Sequence, residues 1–225
     1  NAFALRARAT LAAKQHREAS LKSQYARGVE LQATGNASAA AECFRRAVEA
    51  DPKDALSWYS LGLCSAAQAQ LPVAADALRE SVRLVPHDAL SHAALGSVLH
   101  GIAAARIRGE ALAATAAVGG HDSTTAALLE EAKVHFTHAL KLDPSLPEAH
   151  ANLGLALLDE GNVRTAVVEL RAAIRGAEDA VARTAGSRGS SSDDSPVTYP
   201  PRIFYTLGCA LRLQGDRTAA SAAFA

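Results

Sequence analysis

The sequence predicts an all-α protein built from stacked antiparallel helix pairs, a helical solenoid. Three observations carry that prediction. Ala is the commonest residue, aromatics make up only 4%, and Met is absent. Ala has the best intrinsic helix propensity, whereas a sandwich or barrel draws on β-branched and aromatic side chains. The chain also repeats itself with a base period of 34 residues, and internal periods of that size mark helical repeat arrays. Within each period, small and large residues recur at helical spacing.

Taken in chain order, residues 2–20 read as one helix carrying Arg6, Arg8, Lys14 and Arg17 with no acid before Glu18. An Arg-rich, acid-poor helix can be a targeting segment. The pattern runs straight into the first repeat, however, so a capping helix over residues 1–20 is the preferred reading. The repeats then announce themselves through glycine: Gly28, Gly62, Gly96, Gly154 and Gly208 follow one another at steps of 34, 34, 58 and 54. A second small residue, Ala40, Ala74, Ala132, Ala166 or Ala220, marks the second helix of each unit. Four places later comes Phe44, Leu78, Phe136, Leu170 or Phe224, and three beyond that Ala47, Ser81, Ala139 or Ala173.

Gly and Ala at facing positions let two antiparallel helices approach closely. Gly35-Asn36 and Gly161-Asn162 are turn signals between paired helices. Pro52, Pro86 and Pro144 close the first three units, since Pro cannot continue a helix. One hairpin cannot bury its own apolar stripe, but stacked hairpins can.

The two long steps locate two insertions. The first, about 101–127, extends the third unit's first helix through Ile102, Ile107 and Leu112 to a break at Gly119-Gly120. Ser123 to Thr125 then cap a long second helix, so a projecting helical hairpin is expected. Its surface is either a contact site or a neutral elaboration. In the fourth unit Glu178 stands where Pro would be, so that helix is expected to run to about Ala182. Residues 179–200, with Ser190 to Ser192, Asp193, Asp194 and Ser195-Pro196, read as a flexible low-complexity linker. A plain surface loop is preferred there to a phosphorylation site. Residues 21–178 thus hold four repeats, and 201–225 a truncated fifth. Asn1 in place of Met, and a helical pattern without a stop at the end, suggest a piece of a longer protein.

The pattern resembles the tetratricopeptide repeat family. The second unit carries it as Trp58, Leu61, Gly62, Ala74, Leu78, Ser81 and Pro86. The fourth carries it as His150, Leu153, Gly154, Leu157, Gly161, Ala166, Leu170 and Ala173. The resemblance covers about Leu21 to Ala225 apart from the inserts. It implies a right-handed solenoid whose first helices line a concave groove, here with Tyr25, Val29, Tyr59, Leu63, Asn152, Leu155, Arg202 and Tyr205. Lys22, Leu56, Leu90 and Glu148 fall on the same side. Tyrosine, apolar with a polar tip, suits peptide contact.

Two positions depart from the pattern: Gln24 and Arg27 stand in the first unit where large apolar residues are usual, so that unit is expected to be looser. The chaperone-binding subtype is not matched, because its basic and Asn positions correspond to Tyr25 and Val29, then Ser60, then Leu90 and Ala94. A resemblance to the repeats of the protein O-linked N-acetylglucosaminyltransferases rests on Asn152 alone of their Asn ladder.

Other function classes find little support. Lys+Arg 23 against Asp+Glu 23 gives no net charge, which removes the electrostatic case for nucleic acid or an anionic membrane. The uncharged stretch Ala55 to Ala75 contains Pro72, Gln68, Gln70 and several Ser, so no membrane span is expected. Cys43, Cys64 and Cys209 are scattered and odd in number, which favours an intracellular reducing compartment, the cytoplasm before an organelle.

No phosphate-binding Gly loop, HExxH or GxSxG motif occurs. Adjacent His121, Asp122 and Ser123 cannot form a catalytic relay, and His135 and His138 lack a third ligand. His92 and His150, at the place of Trp58, are expected to be packed between helices. Asn36-Ala37-Ser38 is a glycosylation sequon within a tight turn. The expectation is a non-enzymatic scaffold or adaptor subunit without catalytic, cofactor or metal residues, binding a helical or extended protein segment in the groove. The alternative is the substrate-recruiting arm of an enzyme whose catalytic domain lies outside this chain.

Overall fold

The computed structural model describes residue 19 and residues 22–113, 123–187 and 201–224. Among the described residues the secondary structure is helical, with no strand. The first helix, α1, comprises described residues 22–33. It is followed by α2 (Ala37–Ala50), α3 (Ala55–Ala67), α4 (Leu71–Leu84), α5 (Ala89–Ala113), α6 (Ser123–Leu142), α7 (Pro147–Asp159), α8 (Val163–Ser187), α9 (Pro201–Gln214) and α10 (Arg217–Phe224). Apart from residue 19, the expected capping helix over residues 1–20 falls outside the described residues, as does the Gly119-Gly120 break.

The chain divides into two compact units, Asn1–Arg106 and Ile107–Ala225, with the division inside α5. In the first unit α2 packs on α3 and α3 on α4. Its core gathers Phe44, Val48, Leu61, Cys64 and Ala77, with Tyr25, Leu31 and Trp58 packed against them. In the second unit α6 meets α7, α7 meets α8, α8 meets α9 and α9 meets α10. Its core joins Val167, Leu170, Leu207, Ala210, Leu211 and Ala220.

The small-large pairing predicted from the period closes the first, second and fourth hairpins. A Cβ added at Gly28 would lie 2.7 Å from Phe44 Cε1. At Gly62 it would lie 2.6 Å from Leu78 Cγ, and at Gly154 2.8 Å from Leu170 Cγ. Each large side chain thus occupies the space its partner glycine leaves empty. Ala40, Ala74, Ala132, Ala166 and Ala220 are all buried, as are Ala47, Ser81, Ala139 and Ala173.

The turns repeat as faithfully. After α1 the Gly35 N–H donates to Gln32 O and the Asn36 N–H to Leu31 O. The same pair of bonds recurs at Gly161-Asn162 and Gly215-Asp216. This is the doubly bonded helix terminus that places one residue in the left-handed region, and Gly35, Gly161 and Gly215 have φ of 78°, 79° and 91°. In the second unit of the repeat the same bonds form around Ala69, at φ 58°, where no glycine is present. Between units, Asp51, Val85 and Asp143 each donate an N–H back to the residue four earlier, and the Pro-containing turn follows.

Two elements differ from expectation or extend it. α8 runs to Ser187 rather than to about Ala182, so the first part of the presumed 179–200 linker is helix. Without a Pro after the fourth unit, the Ala-rich run from Ala177 to Ala185 sustains the helix, which continues through Gly186 to Ser187. α5 is continuous through Ala113, as the extension of the third unit's first helix required.

Candidate functional site: the exposed faces of the first helices

Charge is segregated between the two helices of the second hairpin, α3 and α4. The second helices carry it outward in pairs three or four residues apart. On α2, Glu42 pairs with Arg45 and Arg46; on α4, Asp76 pairs with Arg79 and Glu80 with Arg83. Exposed pairs of this kind contribute about 0.3–0.5 kcal/mol each and act mainly as a solvated surface. α3, by contrast, has no ionisable carboxylate or cation anywhere from Ala55 to Ala67. Its outward residues are Leu56, Tyr59 and Leu63, spaced by three and four so that they share one face. Leu56 is 54% exposed, and its equivalent one period later, Leu90 on α5, is 52% exposed.

The inner side of these same helices is tightly fixed. Asp54 caps α3 by accepting the Ser57 backbone N–H at 3.2 Å and also the Ser57 hydroxyl. Asp88 repeats the arrangement with Ser91 on α5, at 3.1 Å to the backbone N–H. Ser81 Oγ lies 3.0 Å from Ala55 O and 2.9 Å from Ser91 Oγ, tying α4 to the start of both first helices.

A second recurring link explains why the aromatic place of the pattern accepts histidine. Trp58 Nε1 donates to Pro52 O at 3.0 Å. His92 Nε2 and His150 Nε2 reach Pro86 O and Pro144 O, both at 3.1 Å. A carbonyl only accepts, so these ring nitrogens carry the hydrogen. In each case the ring anchors its helix to the proline turn six residues earlier, in keeping with the expected packing role. His150 Nδ1 also meets Glu169 Oε2 at 2.7 Å, joining α7 to α8. At the equivalent place in the first unit Gln24 finds no such partner, and its Oε1 is buried without a hydrogen bond.

The predicted groove residues are not equally placed. Val29 is 43% exposed, and Tyr59 and Leu63 are half-buried on the uncharged face. Tyr25 is half-buried with its ring 5.5 Å from that of Phe44, so part of it belongs to the hairpin core rather than to the surface. In the second unit Tyr205 on α9 is 65% exposed, and Leu155 on α7 is half-buried. Asn152 is half-buried but one step out of register: the residue matching Tyr25 and Tyr59 by period is Ala151, which is buried. The Arg202 side chain lies outside what is described, as do His121 and Asp122. Among the described large hydrophobic residues on the first helices of the first unit, Leu56 and Leu90 are the most exposed, and they hold the same place one period apart.

Ionisable chemistry is sparse on this surface. Burial pushes the Cys64 thiol up, away from the reactive thiolate form. Among the described residues no group of three or more His, Cys, Asp or Glu side chains is arranged to hold a metal ion. Lys133 bridges Glu130 on α6 and Glu160 after α7 at 2.9 and 2.7 Å. Burial opposes its charge, but the hydrogen bonds to Glu160 and Glu130 outweigh that and hold its pKa above the usual lysine value. Among the described residues no helix is long and apolar enough to cross a membrane.

Comparison with known proteins agrees with this geometry. The tetratricopeptide repeat family profile matches residues 25–89. No curated protein matches the sequence. Among solved structures, a thermophilic tetratricopeptide repeat protein of Thermus thermophilus is similar at 19% identity and a TM-score of 0.63, covering 90% of this chain and 87% of that one. MamA of Desulfovibrio magneticus RS-1 is similar at 14% identity and a TM-score of 0.63, covering 91% of each chain. A mutant O-GlcNAc transferase of Thermobaculum terrenum is similar at 25% identity and a TM-score of 0.55, covering 71% of this chain but only 26% of the transferase.

Proposed function

We propose that the chain, whose residues 25–89 match the tetratricopeptide repeat family and which shares the fold of tetratricopeptide repeat proteins, is a non-enzymatic interaction scaffold within a larger protein assembly. Its partner is a helical or extended protein segment lying along the exposed faces of the first helices. The observation that carries this reading is the uncharged outward face of α3, Leu56, Tyr59 and Leu63, beside second helices that carry their charges outward. Exposed large apolar residues recurring at one place in successive repeats leave apolar area in water, and covering it with a complementary segment is favourable. Val29 extends the apolar contact within the first unit. A nucleic acid or a strongly acidic tail would have to desolvate its charges against a surface offering no counter-charge. Buried free thiols at Cys43 and Cys64 suit an intracellular reducing compartment.

The test is affinity capture from the native cell extract with the wild-type chain and with Tyr59→Ala/Leu63→Ala, compared by mass spectrometry. The reading expects a defined set of proteins to be lost with the variant while its helical content is unchanged. Identical capture by a folded variant would remove the α3 face from the site.

A second reading, the recruiting arm of an enzyme, is favoured by the similarity to the O-GlcNAc transferase, of which this chain covers 26%. It would require a catalytic domain elsewhere in the same polypeptide.

A further inference from the structure

We draw no further inference here: the strongest candidate, the outward helix faces bearing exposed Val134 on α6 and Val168 on α8, carries nothing because nothing in the structure shows what covers them.

Discussion

Gly62 and Leu78 set the closeness of α3 and α4, and a single methyl group at Gly62 has nowhere to go. It would sit 2.6 Å from Leu78 Cγ and 3.3 Å from the backbone oxygen of Ala74. Leu78 is fully buried, so it cannot swing into solvent to make room. Gly62→Ala is therefore expected to lower stability by about 1–3 kcal/mol, the scale of core overpacking, despite the better helix propensity of Ala. A denaturant midpoint equal to wild type would show that the hairpin is less tightly closed. Ala69 is the opposite case. It holds the left-handed turn position at φ 58°, where a Cβ costs about 1–2 kcal/mol. Ala69→Gly is expected to raise stability by about 0.5–1 kcal/mol after the extra freedom gained by the unfolded chain is subtracted; a lower denaturant midpoint for this variant would contradict that. The close approach of Gly62 was legible in the sequence because it recurs with its partner at a fixed interval. The strain at Ala69 was not, because alanine gives no turn signal and only the period places it opposite Gly35 and Gly161.

At the scale of the element, carboxylates cap the starts of α3, α5 and α10 through Asp54, Asp88 and Asp216, and α2, α4 and α6 stop just ahead of Pro52, Pro86 and Pro144. Asp216 caps α10 through the Ala219 backbone N–H at 3.0 Å, and the Thr218 hydroxyl donates to the same oxygen at 2.9 Å. These two bonds, the backbone one first, hold its pKa below the ordinary carboxylate value. A depressed carboxylate pKa stabilises the folded form above the unfolded value, about 3.9, and that contribution fades as pH falls through the folded value. The Ala219 amide should thus stay protected from hydrogen exchange at about pH 5 and lose protection in stronger acid, while Asp216→Asn should remove that pH dependence. Protection independent of pH in the wild type would mean that the cap does not form in solution. The Pro-terminated helices could be bounded from sequence, since Pro fixes where each must stop. The end of α8 could not: its repeat logic ends near Glu178, but the Ala-rich run holds no helix breaker and the helix continues through Gly186 to Ser187. Likewise Asn152 was misplaced by one residue, which on a helix turns a side chain through about 100°, enough to leave the face that Tyr59 occupies.

At the scale of the whole molecule, the 34-residue period settles the fold class, while the partner-binding role rests on where charge is absent. The cores of both units form from the same small-large places in the repeat, so the architecture was legible almost entirely. The candidate site was legible only as a set of positions. The half-burial of Tyr25 against Phe44 and the exposure of Leu56 and Leu90 depend on how neighbouring hairpins stack, which spacing alone does not specify. The central claim is that the apolar face of α3 binds a protein segment. It is tested most directly by titrating a captured partner segment into the wild-type chain and into Tyr59→Ala/Leu63→Ala by calorimetry, with Glu42→Ala/Arg45→Ala on α2 as the control. Truncating a buried anchor at an interface costs about 2 kcal/mol, roughly a 30-fold loss of affinity. The account predicts a loss of at least that size for the α3 variant and an unchanged affinity for the α2 variant; equal affinities for all three proteins, or a loss confined to the α2 variant, would contradict it.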